Sequence, residues 1–414
     1  MYCNLSVKMF VVMLCTIFCM YLQACSHDNS TTISSIYMND SLLIVDIDHS
    51  VKLESINYSD FYSNIETIIL ECDTNILIGY INKLETYNDC LIILDINYSQ
   101  GIFVFDKYGN FIRKIGAVGQ GVGEYIEVSD FTIDKDGLLY LLDNGAQRIN
   151  IYELSSGDFI KSLKINENGY VWSYHIYKNT RLYVDAYFSN SLKNAYLLQG
   201  INEKSGYSRQ QYLSVNDYNK TWVNINYVEN NAFYISSMNS AFFVQQFMDT
   251  IIKIEDDYIY PFAVIKYDHF VTDKDINAIQ EMGRSGFSSI SELFNKNLMW
   301  NIRDIRIRND YLFFRCWESN MQIAILYDMK KKETYKIMYE RNDLLYKDNV
   351  LSGVPLKYLT SDENGSYFCV RTDDIEMLIA YAKENMLSLS QKQLDKINSL
   401  SDDSNPVIIY YEYN

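Results

Sequence analysis

Tyr170, Trp172 and Tyr174 alternate along the segment Tyr170–Ile176 (YVWSYHI), with His175 beside them. Residues two apart on an extended strand share a face. Three aromatic rings on one face can stack on sugar rings or peptide side chains, or they can fill the interior between packed sheets. Arg315 and Trp317 in the run FFRCW, and Trp222, carry the same two readings. Nucleophilic catalysis needs a Ser or Cys near a His and an orienting acid. The chain has His27, His49, His175 and His269 and no G-x-S-x-G. His175 alone of these falls on an expected inner strand, too few for a three-histidine metal centre. Carboxylates are better supplied: Asp130 and Asp134 bracket one inner strand, and Glu85 and Asn88 occupy the corresponding place in the preceding repeat. Such oxygens could ligate calcium in a central channel. The glycines Gly116, Gly119, Gly121 and Gly123 look at first like a phosphate cradle. A cradle needs a strand before it, a helix after it and usually a Lys. Here strands flank both sides, so the series reads as a structural loop that uses positive φ.

Composition narrows the function classes. Against 53 Asp and Glu stand 36 Lys and Arg, a formal charge of −17 over 414 residues. A nucleic-acid backbone would be repelled, and the longest basic run is Lys330-Lys331-Lys332. Hydrophobic residues make up 48% and charged ones 21%, enough for a packed core and too apolar for a disordered chain.

The first residues read as a targeting device. Lys8 precedes Met9–Tyr21, which carries no charge. As a helix that run spans about 20 Å, short of the ~30 Å hydrocarbon core, so it is a signal segment rather than a membrane span. Leu22-Gln23-Ala24-Cys25 follows and resembles the lipobox of bacterial lipoproteins, in which the chain is cut before the Cys and the Cys is lipidated. The expected organisation is a signal peptide over 1–24, a lipid on Cys25, and a tether over 25–64 that carries a short apolar segment at Leu42–Val45. Of the other cysteines, Cys3, Cys15 and Cys19 would leave with the signal. Cys72, Cys90, Cys316 and Cys369 lie in or beside apolar runs with no CxxC spacing and read as free thiols.

Past the tether, a polar turn followed by two spaced strands recurs. Asn88-Asp89, Asp136-Gly137, Asn179-Thr180, Asn230-Asn231, Asn309-Asp310 and Asn364-Gly365 each precede such strands, at intervals of 48, 43, 51, 79 and 55 residues. Asn, Asp and Gly tolerate the positive φ of tight hairpins. A period of 40–50 residues in short strands is that of a propeller with one four-stranded blade per repeat. Residues 65–414 are therefore expected to form an all-β, six-bladed propeller. The long intervals hold helical insertions, at about 273–300 and 375–400. The sixth blade is one strand short, and Glu66–Glu71 (ETIILE) stands ahead of the first repeat. That N-terminal strand is expected to complete the last blade and close the ring.

The segment Lys114–Glu153 (KIGAVGQGVGEYIEVSDFTIDKDGLLYLLDNGAQRINIYE) resembles an NHL-type blade: a glycine-spaced loop, Asp-x-x-Gly, an apolar strand ending in Asp, then Arg-Ile and an aromatic. With the lipobox and the closing SNPVIIYYEY, the chain is similar to the six-bladed propeller lipoproteins of gut Gram-negative anaerobes. That family usually has Arg and Pro in the glycine loop, where Ala117 and Val122 stand here. The resemblance implies a binding or scaffolding protein of the cell envelope, lipid-anchored to the outer membrane and facing the periplasm or the surface. Its ligand would be a glycan, a peptide or a partner protein, with no nucleic acid and no cofactor, channel calcium apart. The candidate ligand-binding residues are Tyr170, Trp172, Tyr174, His175, Arg315 and Trp317. The competing class is a metal-dependent propeller enzyme, a lyase or a lactonase-like hydrolase. It would require His and acids converging from three or more blades.

Overall fold

The second strand of each repeat is apolar at nearly every position because it is covered on both sides. In Leu138–Asp143 (LLYLLD), Leu139 and Leu141 pack with Ile92, Leu94 and Phe131 of the preceding repeat's side, while Tyr140 and Leu142 pack with Ile176, Leu182 and Val184 of the next. One strand thus belongs to two cores, and a simple in/out alternation is replaced by a continuous apolar run. The computed structural model describes residues 32–33 and 42–414, apart from 74–75, 166–174, 186–195, 204–208, 219–230, 238–239, 283–286, 348–352 and 402. Residues Ile33–Asn414 form the unit discussed below.

Six antiparallel sheets follow one another as the blades of a propeller, each running from an inner to an outer strand. Blade 1 is Lys83–Tyr87, Cys90–Asp95, Gly101–Asp106 and Phe111–Ile115. Blade 2 is Val128–Ile133, Leu138–Asp143, Arg148–Glu153 and Phe159–Lys164. Blade 3 has Ile176–Lys178, Leu182–Asp185, Tyr196–Ile201 and Arg209–Ser214. Blade 4 has Phe233–Ser237, Ser240–Phe243, Thr250–Glu255 and Tyr258–Lys266. Blade 5 has Met299–Arg308, Tyr311–Glu318, Met321–Asp328 and Glu333–Arg341. Blade 6 has Lys357–Ser361, Gly365–Val370 and Val407–Tyr413, completed by Tyr62–Ile69 from the other end of the sequence.

The closure is antiparallel and long: Val407 pairs with Ile69, Ile409 with Thr67 and Tyr411 with Ile65. The hairpin chemistry is as expected where it can be read. Asn88 and Asp89 (φ 45 and 59) form a two-residue turn with both residues left-handed, the form whose twist matches the flanking strands.

One expectation is corrected. Residues 43–57, assigned to the tether, are part of the ring. Leu43–Asp46 lies parallel to Tyr258–Lys266 on the outer edge of blade 4, and Val51–Asn57 lies parallel to Glu333–Arg341 on the outer edge of blade 5. Their short, half-polar patterns reflect edge positions with one face open. In blade 4 the strand after Asn230-Asn231, Phe233–Ser237, is the inner one, whereas the strand after Asn88-Asp89 in blade 1 is the second. In blade 3 the described inner strand is Ile176–Lys178, and 170–174 lie outside the described residues.

The insertions are two helical pairs. Asp273–Glu281 and Phe287–Asn295 separate blades 4 and 5, and Ile375–Lys383 and Gln391–Asn398 interrupt blade 6. The first begins at a capping box in which Thr272 and Asp275 satisfy each other's backbone N–H.

Candidate functional site

The inner strands of blades 1 to 3 hold buried charge at their centre. Lys83 Nζ lies 3.1 Å from Glu85 Oε1 and 3.0 Å from Asp130 Oδ1, and it donates to the Phe131 carbonyl at 2.6 Å. Asp130 Oδ2 accepts from the Ile176 N–H at 2.9 Å, and Glu85 Oε2 from the Ile133 N–H at 3.1 Å. Burial opposes the Lys83 charge, but Asp130 and Glu85 overcome it and hold the ammonium above its usual range. Burial pushes the Glu85 carboxyl up, with Lys83 pulling against it. These groups cross-link neighbouring blades and leave each other few spare lone pairs.

A second set pins the loops. Asp95, Asp143 and Asp185 each end the second strand of blades 1, 2 and 3 and are fully buried. Asp95 accepts from the N–H groups of Gly79, Asn97, Tyr98 and Ser99. Asp143 accepts from those of Ile126, Glu127 and Ala146 and from Arg148 Nε. Asp185 takes both the His175 N–H (2.8 Å) and His175 Nδ1 (2.7 Å). A carboxylate that accepts several N–H bonds fixes the loop that enters the blade. The glycine loop is held in the same way. Gly116 and Gly123 have φ of 62° and 76°, Gly121 N–H bonds the Glu124 carboxylate, and the Tyr152 hydroxyl bonds the Gly123 carbonyl. A side chain at Gly119 would run into the Glu124 carboxylate.

Blade 5 carries the densest array of guanidinium groups. Arg315 reaches both oxygens of Glu340 at 2.6 Å, Asp304 Oδ2 at 3.1 Å and the Tyr58 hydroxyl at 3.4 Å. Arg303 Nε is 3.5 Å from Asp304 Oδ1. Burial would raise the Asp304 carboxyl, but Arg303 and Arg315, with Arg306 behind them, keep it below the usual carboxylate range. Beside this network a cleft of about 320 Å³ opens between blades 5 and 6, lined among others by Arg306, Arg308, Tyr311 and Phe313 on one side and Tyr62 and Tyr413 on the other. A larger, more polar groove of about 610 Å³ lies between blades 6 and 1, with Glu66, Asp89, Asp362, Tyr367 and Tyr410 in its walls.

The candidate ligand-binding residues named from the sequence do not come together as one exposed face. Tyr170, Trp172 and Tyr174 lie outside the described residues, as do Trp222 and Cys25. His175 is buried and turned onto Asp185, and Arg315 is buried in its ion network. Trp317 meets Phe294 of an inserted helix edge-on, ring centroids 5.5 Å apart. Among the described residues no three His, Cys, Asp or Glu converge as a metal-ligand set. Arg306, Arg308, Tyr62 and Tyr413 were missed. A faint signal existed in the Ile-Arg-Ile-Arg alternation at 305–308, but nothing local reveals that tyrosines more than a hundred residues away face it.

A family model described as "Domain of unknown function (DUF4934)" matches residues 42–412. No curated protein matches the sequence. Among solved structures, one described as a "Putative exported protein" from Bacteroides fragilis is similar with a TM-score of 0.70 at 16% identity, over 90% of this chain and 99% of that one. A DUF4221-family protein from Bacteroides vulgatus is similar at a TM-score of 0.49 and 10% identity, over 85% of this chain and 97% of the other. A virginiamycin B lyase from Staphylococcus aureus reaches 0.41 at 12%, over 84% and 99%.

Proposed function

We propose, from the premise that this chain belongs to the DUF4934 family, that it is an exported, lipid-anchored binding or scaffolding module of the cell envelope whose propeller docks a glycan, a peptide or a partner protein. The observation that carries this reading is the use made of the inner-strand polar groups. Lys83, Glu85, Asp130, His175 and Asp185 are consumed in bonds to one another and to backbone. They build a rigid frame rather than a set of reactive groups, and the open, chemically varied surfaces lie between blades. The apolar leader ending at Cys25 supports export and anchoring, and so does the exported description of the Bacteroides fragilis protein that shares the fold. The fold by itself assigns no function.

The test uses the full chain, purified in detergent. Mass spectrometry is expected to find acyl chains on Cys25, and none on a Cys25→Ser variant. Thermal unfolding is then followed with EDTA, Ca²⁺, Zn²⁺ and a panel of glycans and peptides. A ligand at about 100 times its Kd adds roughly 2.7 kcal/mol, moving the midpoint of a chain this size by a couple of degrees. A rise with one glycan or peptide class and none with metal is the expected result. A metal-dependent rise that EDTA reverses would overturn the reading in favour of an enzyme.

A further inference from the structure

We propose that the cleft between blades 5 and 6 binds a carboxylate carried on a six-membered ring, an acidic sugar or an aryl acid; this assignment rests on the binding-module reading above. Arg306 is the centre of the site. Its guanidinium lies 3.9 Å over the Phe313 ring and 5.3 Å from that of Tyr358. Its Nη1 is shut off from solvent with no hydrogen-bond partner among the described residues. A guanidinium offers five N–H donors in a planar fork, and burying donors unsatisfied is costly. A planar acceptor with two oxygens is the group that fits.

The acids nearest the cleft are already engaged. Arg303, Arg306, Arg308 and Arg315 face Asp304 and Glu340, and Arg315 already engages both acids. Asp60, also in the lining, is occupied by the Asn57 N–H at 2.9 Å. Arg308 spends its Nη atoms on the Glu363 carbonyl (3.4 Å) and a main-chain oxygen of Asn414 (3.2 Å), while its Nε remains buried and unbonded. With two of the Arg308 donors committed to backbone, the pair can hold a flat monoanion better than a tetrahedral dianion.

The lining favours a ring. Tyr62 and Tyr413 stack with centroids 5.4 Å apart and planes 14° from parallel, and Arg308 sits 4.7 Å over Tyr413, so this wall is rigid. Tyr311 and Tyr335 also line the cleft and are only half-buried, and flat aromatic faces take the apolar face of a sugar or an aryl ring. The volume, about 320 Å³, is near the lower end for small-molecule sites, roughly 300–1,000 Å³. The backbone is shaped for the purpose: Met299–Arg308 has register shifts before Arg303 and before Arg306, with Asn301 and Asp304 at φ of 59° and 55°. Bulges of this kind re-aim side chains and cluster beside sites.

The experiment is calorimetric titration of the full chain in detergent with glucuronate and 4-hydroxybenzoate, each against its neutral counterpart, glucose and 4-hydroxybenzamide, and with inorganic phosphate. At least one acid is expected to bind, with the neutral counterpart at least about tenfold weaker; which acid binds separates a sugar from an aryl source. Arg306→Met is expected to weaken the acid by about tenfold or more, Arg306→Lys by less, and Arg113→Gln not at all. Arg308→Gln is measured beside them in case Arg306→Met fails to fold. The assignment is overturned if neither acid binds, if the neutral counterpart or phosphate binds as well, or if the folded Arg306 and Arg308 variants bind as the parent does. A neutral glycan or peptide that binds the parent and the Arg306 variant equally would leave the binding-module reading standing and this site refuted.

Discussion

At the scale of single residues, Lys83 is the most exposed to test. It is buried between two carboxylates that have already lost water, so removing it strands both. Breaking a buried pair typically costs about 3–5 kcal/mol, and Lys83→Met is expected to lose that much in urea unfolding at pH 8. The loss should shrink toward pH 5. Burial already raises the Glu85 carboxyl; without the ammonium it rises further, so at lower pH the acid takes up a proton and the stranded charge disappears. A triple replacement with Glu85→Gln and Asp130→Asn should recover most of the stability, since the amide oxygens can still accept the Ile133 and Ile176 N–H groups. A loss below about 1 kcal/mol for Lys83→Met would contradict the framing role.

At the scale of elements, the edge strand Leu43–Asp46 should be sensitive to acid. The His49 side chain hydrogen-bonds Asp46 Oδ1 at 3.1 Å and Lys266 Nζ lies 3.2 Å from Oδ2; these hold the Asp46 carboxyl down at about 2. A carboxyl depressed in the folded state contributes stability above its unfolded value near 4 and loses it as pH falls toward 2. Hydrogen exchange of residues 43–46, corrected for intrinsic rates, is expected to speed up between pH 5 and pH 2.5 relative to Leu138–Asp143 in the blade 2 interior. Unchanged protection would remove Asp46 as the clasp. These elements also mark how far the sequence could be read. Blade 2 was legible because Asp-Gly turns, a doubly buried LLYLLD and an Asp that ends the strand coincide. The added strands at 43–46 and 51–57 were not, since a parallel edge strand carries no turn signal and is selected by a partner more than two hundred residues away. The cleft was illegible for the same reason. Arg306 acquires its role from Tyr62 and Tyr413, which a single sequence does not place.

At the scale of the molecule, closure and girdling are separable. Strand Val407–Tyr413 sits inside blade 6, with Val407, Ile408, Ile409 and Tyr411 fully buried. Removing 407–414 leaves Tyr62–Ile69 unpaired and two cores open, and is expected to abolish cooperative unfolding as followed by circular dichroism. Removing 1–57 takes away the two parallel strands, and the short strand Thr32–Ile33 ahead of them, yet leaves every blade with four. That variant is expected to fold, unfold at a lower midpoint, and self-associate with concentration by light scattering, because the outer edges of blades 4 and 5 become bare. Equal loss of folding in both variants would show that the added strands belong to the ring's core.

The path of residues 43–69 has a mechanical meaning. The chain runs along the outer edge of blade 4, then blade 5, then supplies the last strand of blade 6. Tension applied at residue 42 therefore meets the fold first at its most expendable hydrogen bonds. Four paired residues must be unpicked, then six, before any load reaches the ladder that keeps the ring shut. The arrangement works as a strain relief does on a cable: a pull can peel the outer wrap and relax again while the working part stays closed.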